Sequence, residues 1–129
     1  MPDEIVTRTM RYFIGEDGIL RAIPIPAVEY TLAVAEENLR AMASLVGSDR
    51  RCPLLTDGRN VKSSTREARM RYTAELPRIV SAMAVLVGSP ASRVTGNIYL
   101  AVNKPSFPTR LFTSEEEALV WLKGFVDER

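Results

Sequence analysis

At 129 residues, with 46% hydrophobic and 26% charged residues, the chain fits a single domain spanning residues 1–129 around one core, outside the disordered and membrane classes. A net charge of +1 argues against nucleic acid or an anionic membrane as the partner. The absence of histidine removes the commonest general base, the commonest metal ligand and every Ser-His or Cys-His nucleophile.

The N-terminus, Met1-Pro2-Asp3-Glu4, has neither a basic start nor an apolar signal stretch. No apolar run approaches the ~18 residues of a membrane span, so a cytoplasmic location is expected. Residues 8–14 alternate loosely between apolar and polar side chains. Gly15-Glu16-Asp17-Gly18 supplies turn chemistry, and Ile19, Ile23 and Ile25 fall in phase, which predicts an N-terminal β-hairpin ended by Pro24 and Pro26.

From Thr31 the period changes. Leu32, Ala35, Leu39, Met42 and Val46 form an inward helical stripe closed by Gly47. Cys52 to Thr56 is a short buried strand that ends in Asp57-Gly58, and the sole cysteine, Cys52, reads as a small core residue. Ser64 with Glu67 forms a capping box for a second helix, whose stripe is Ala68, Tyr72, Leu76 and Ile79 or Val80, with Pro77 ending or kinking it. Ala82 to Val87, apolar on both faces, is a central parallel strand.

Ser89 and Pro90 start a third helix, with Val94, Ile98 and Ala101 or Val102 facing inward. Thr109 to Phe112 is a last strand. Ser114 leads into a last helix, whose stripe is Ala118, Leu119, Leu122, Phe125 and Val126. The expected order is ββαβαβαβα: an α/β fold with a mostly parallel central sheet, an N-terminal antiparallel hairpin and four helices.

Two groups of residues are candidates for function. The loop between the third predicted strand and the second predicted helix, with the start of that helix, carries Asp57, Arg59, Lys62, Ser63, Ser64, Thr65, Arg66 and Arg69. Such a loop leaves the carboxyl end of a strand, where open α/β sheets place their functional crevice. A phosphate on a hydroxyl there would meet arginines and the positive end of a helix, although Ser64 also serves as a plain cap worth about 1 kcal/mol. Residues 50–78 hold eight basic side chains against three acidic ones, a patch suited to an acidic protein surface or anionic ligand and equally to a solvated helix face. Tyr99, Phe107, Phe112, Trp121 and Phe125 could line an apolar pocket or a dimer surface, and core packing accounts for the same residues. No metal cluster or cofactor motif is present. Asp57, Lys62 and the serines compose at most a Ser-Lys type arrangement, so an enzyme is the third reading.

The element order, with Leu86-Val87-Gly88-Ser89-Pro90 and the run from Pro108 to Leu122, resembles the STAS-like group of small bacterial proteins related to the sporulation anti-sigma factor antagonist. That resemblance implies a non-enzymatic regulatory or binding domain, a serine at the start of the second helix that switches binding of an anti-sigma or kinase-like regulator, and no cofactor. Ser63 and Ser64 stand for the serine pair of the family's acceptor site, with Lys62 in place of its aspartate and Thr65 in place of its glycine. Nearby relatives are likened to the CRAL-TRIO lipid-binding fold, which implies the alternative of a carrier or sensor of a small apolar or anionic, lipid-like ligand. A homodimer through an edge strand or the aromatic end is also expected.

Overall fold

The computed structural model describes residues 4–25, 29–58, 63–102 and 105–126, apart from the side chains of Ser63, Thr95, Tyr99 and Val102. In chain order the elements are β1 (Glu4–Val6), β2 (Met10–Ile14), β3 (Leu20–Pro24), β4 (Glu29–Tyr30), α1 (Leu32–Val46), β5 (Cys52–Asp57), β6 (Ser63–Ser64), α2 (Arg66–Glu75) with a 3-10 turn Leu76–Arg78, β7 (Val80–Leu86), α3 (Pro90–Val102), β8 (Thr109–Phe112) and α4 (Glu115–Lys123). The main sheet runs β1-β2-β3-β5-β7-β8. Its first three strands are antiparallel, and β3, β5, β7 and β8 are parallel. The expected hairpin, parallel sheet and four helices are thus present. The structure adds β1 and a two-residue parallel pair, β4 with β6, to the expected order.

The hairpin turn is fixed by local bonds. Gly18, at φ 80°, donates its N–H to Gly15 O at 3.0 Å. The Asp17 carboxylate takes both Arg21 terminal nitrogens at 2.8 and 2.7 Å, and the Ile19 N–H at 3.1 Å. The Arg21 guanidinium holds the Asp17 carboxyl below its ordinary range.

Two cores lie on opposite sides of the sheet. Tyr12, Leu20, Ala22, Cys52 and Leu54 pack with α1's Val34, Leu39, Met42 and Val46 on one side. Ile19, Leu55, Ala82, Ala84, Leu86 and Phe112 pack beneath α4's Ala118 and Leu122 on the other. Cys52 is buried in the first of these cores, and its Sγ donates to Gly18 O at 3.1 Å; burial pushes its thiol pKa up. Since α4 spans β5, β7 and β8, it leaves the outer face of the hairpin open. Ile19 is therefore buried, while Ile23 and Ile25, expected in phase with it, lie beyond the helix and are exposed.

The helices keep their periodicity but differ in detail from the predicted stripes. In α1, Leu32 in the first turn is exposed while the rest of its stripe is buried. The α2 stripe stops early: Pro77 stands in the 3-10 turn, and Val80 opens β7 instead of closing a helix. α3 turns its expected inward residues outward, with Val94 60% and Ile98 63% exposed. It approaches β8 through Gly96, where an added Cβ would run into Leu111 Cδ1, so the missing side chain is what admits the close contact.

One polar group in the first core ties three elements together. Asn38, fully buried on α1, receives the Thr7 hydroxyl on its Oδ1 at 2.7 Å, and its Nδ2 donates to Thr9 Oγ1 at 2.9 Å and to the Tyr72 hydroxyl oxygen at 3.1 Å. The β1–β2 turn, α1 and α2 meet at this one amide. By contrast, the Ser81 hydroxyl on β7 is buried with no partner among the described residues. Ser81→Ala is expected to raise stability by about 1 kcal/mol, because it removes an unsatisfied polar atom. A urea titration at neutral pH checks this, and a loss of stability would mean the hydroxyl is satisfied in solution.

Candidate functional site

β5 ends at Asp57, which is half-buried and engaged in an interaction of its own. Arg59 and Lys62, like Asn60 and Val61, lie outside the described residues, as does the Ser63 side chain. The chain is next described as β6, where Ser63 and Ser64 pair with Glu29 and Tyr30. This pairing corrects the predicted cap. Ser64 is drawn into an extended bridge, Thr65 N–H donates to Tyr30 O at 2.9 Å, and Thr65 becomes the N-cap, its Oγ1 accepting the Ala68 N–H at 3.2 Å. Glu67 then falls one position short of the place a capping box needs.

Arg69, one turn into α2, reaches back to Ser64, donating to its carbonyl at 2.5 Å and to its Oγ at 3.4 Å. Ser64, Thr65, Arg66 and Arg69 are therefore gathered at the start of α2. Arg66 and Arg69 are exposed, and Ala68 alone among α2's residues is buried.

The rest of the basic patch divides in two. Arg71 and Arg78 flank Glu75 at 3.4 and 3.8 Å, in a cleft of about 370 Å³ shared with Arg40 and Arg50. That side of α2 is a mixed, largely self-compensated charge surface. The other side faces α3 across an open groove of about 820 Å³. Arg66 and Arg69 stand at the groove's margin; Met70, Tyr72, Leu76, Met83, Leu100 and Phe107 line it. Its floor is β7, whose Met83 is half-buried because neither helix covers it fully. Burial raises the Tyr72 pKa, an effect partly offset by the bond from Asn38.

The predicted aromatic cluster is split by the sheet. Phe112 on β8, Trp121 on α4 and Phe125 just after it make a chain of tilted and edge-to-face contacts, with ring centroids 5.7 and 4.9 Å apart, and the Arg110 guanidinium lies 5.2 Å from the Phe112 centroid. Phe107 lies on the opposite side, in the first core and at the groove. Tyr99 belongs to α3, and its side chain lies outside the described residues. These five residues therefore do not form one pocket. The groove itself had only a weak sequence signal, Gly96 in α3: a helix that touches the sheet through a glycine leaves room beside it.

Among the described residues no group of three or more His, Cys, Asp or Glu side chains could hold a metal ion, and no helix is long and apolar enough to cross a membrane. The fold resembles an uncharacterized protein of the DUF3478 family with a SpoIIAA-like fold from Shewanella loihica PV-4, at a TM-score of 0.60 and 11% identity over 92% of this chain and 90% of that one. A protein with unknown function from Arthrobacter sp. FB24 is 34% identical over 94% of this chain and 98% of that one; its TM-score is 0.31, so the fold argument rests on the Shewanella protein. No curated protein matches the chain. The scaffold is thus SpoIIAA-like, in agreement with the STAS-like resemblance read from the sequence. Residues 12–126 match the family described as Domain of unknown function (DUF7793), and the chain belongs to that family.

Proposed function

We propose that this domain is a non-enzymatic regulatory module of the anti-sigma factor antagonist type, which binds a protein partner through the start of α2 and the loop before it. The observation that supports this reading is α2 itself. A helix packed for stability alone buries a continuous stripe, whereas α2 fully buries only Ala68 and exposes Arg66, Arg69 and Met70 along one side. Arginines beside an exposed methionine suit an acidic partner surface that carries an apolar anchor.

Phosphoregulation fits the same place. A phosphate on Ser64 falls beside Arg69 and at the positive end of α2, and Thr65 is already committed to capping. Mass spectrometry of the protein from its own host is expected to find a stoichiometric complex and phosphate on Ser63 or Ser64. Ser64→Glu and Arg66→Glu are each expected to weaken the complex about tenfold or more. Wild-type affinity in both variants would remove this surface from consideration.

The groove favours a second reading, a carrier or sensor of a small lipid-like molecule. Its volume of about 820 Å³ lies within the range of ligand pockets, and its arginines stand at the margin of an apolar trough. A small molecule that is released on denaturation and absent from a groove-filling Leu100→Trp variant would favour the carrier. Ligand-free protein from the native host would speak for the regulator.

A further inference from the structure

The two hollows beside α2 differ in how their charge is balanced. The cleft on the α1 side sets four arginines against Glu36, Asp49 and Glu75. The groove on the α3 side has Arg66 and Arg69 and, among its described lining residues, no acid. Arg66 has no ion pair or hydrogen bond among the described residues. Arg69 uses only its Nη1, on the neutral carbonyl and hydroxyl of Ser64. Neither guanidinium meets a carboxylate, so the groove holds two positive charges without a counter-ion.

The groove is also graded along its length. Arg66 opens α2 and Arg69 lies one turn in, whereas Leu76 and Pro77 follow its last turn. Because β5, β7 and β8 are parallel, α2 and α3 run the same way. Leu100, in the last turn of α3, and Phe107, just before β8, therefore stand with Leu76 at the end away from the arginines. Met70 and Met83 lie between, with unbranched side chains that adapt to a flexible occupant. Resting on the carrier reading, we infer that the groove takes a single-chain amphiphile, its carboxylate held by Arg66 and Arg69 and its tail laid along α2 toward Leu100 and Phe107.

Charge selects the head. Residues three apart on a helix are neighbours, so both guanidiniums can turn N–H donors on one carboxylate, and the positive end of α2 adds to the attraction there. Length selects the tail. Arg66 and Leu76 are separated by about 15 Å along the helix axis, a span that an extended chain covers with about a dozen bonds at about 1.2 Å each. The volume of about 820 Å³ suits a small molecule of this size rather than a protein segment. Burial of the tail against Met83, Leu100 and Phe107 supplies most of the affinity, and the arginines set the direction in which the chain lies.

Titration calorimetry of the full chain with dodecanoate at neutral pH, below the concentration at which it forms micelles, is expected to show one site per chain. Dodecanol, with the same tail and no charge, should bind at least about tenfold more weakly. Arg66→Gln and Arg69→Gln should each cost dodecanoate about tenfold and leave dodecanol unchanged. Both arginines are exposed, so these variants keep the fold. Octanoate, four methylenes shorter, should also lose at least about tenfold, since each buried methylene is worth up to about fourfold. Equal affinity for dodecanoate and dodecanol, or indifference to both arginine variants, would overturn the inference and leave the carrier reading for a neutral ligand. Dodecyl phosphate bound about tenfold more tightly than dodecanoate would overturn the carboxylate head. If no probe binds a chain that releases a small molecule from its own host, the inference alone falls; if no probe binds and nothing is released, the carrier reading falls with it.

Discussion

Asn38→Ala is expected to destabilise the domain by about 3 kcal/mol and to lower Tm by about 10 °C. The substitution removes the acceptor of the Thr7 hydroxyl and the donor to Thr9 and Tyr72, at a site with no solvent access for Asn38 itself. Part of the loss is the small cavity left in the core, and part is the unpaired hydroxyls. Asn38→Leu separates the two, since it refills the volume and restores none of the bonds. Urea titrations of both variants at neutral pH should place the leucine variant between the alanine variant and the wild type. Recovery of wild-type stability by the leucine variant would assign the effect to volume alone. A cost below about 1 kcal/mol in both would show that the amide does not anchor α1 to α2 and the β1–β2 turn.

The second large effect appears in alkali. Burial raises the pKa of Tyr12 far above its ordinary value, pushes Tyr30 up to about 12, and raises Tyr72 less strongly. An unfolded tyrosine ionises near pH 10, so above that pH the unfolded chain binds fewer protons than the folded one and stability falls. The stabilisation is complete below about pH 10. Tyr12 and Tyr30 together should remove about 2–3 kcal/mol for each pH unit above it, and Tyr30's share ends near its folded pKa. Urea midpoints measured in this window, with tyrosinate absorbance as a second readout, should show a steep decline. Tyr12→Phe and Tyr30→Phe should each flatten the slope by about half. A stability independent of pH in this range would mean that the rings are already solvated in the native state.

The parts of the fold that were legible in the sequence are those with enough residues to show a period: the hairpin, the parallel strands and the helices, with Ser114 as a cap. β1, β4 and β6 are two or three residues long and leave no pattern to read. Among Ser63, Ser64 and Thr65, local chemistry permits any to cap. The choice of Thr65 comes from a strand pairing with Tyr30, which only the tertiary structure supplies. α3 marks a different limit. Periodicity states which residues share a face, and Val94 and Ile98 do, but it does not say whether that face meets the sheet or solvent. The arginines of α2 were visible as charges. The groove beside them was not, because it is a gap between two helices, and Asn38 was a lone amide within an apolar stripe.

The pairing of Tyr30 with Ser64 stands immediately before both helix caps, Thr31 and Thr65. α1 and α2, which the chain separates by a whole strand, thus begin from one shared clasp, and Asn38 to Tyr72 fastens them again farther along. Mechanically the two helices are geared. A displacement of the Ser63–Ser64 segment would act on the first turn of α1 as directly as on that of α2, because both helices start from this pairing.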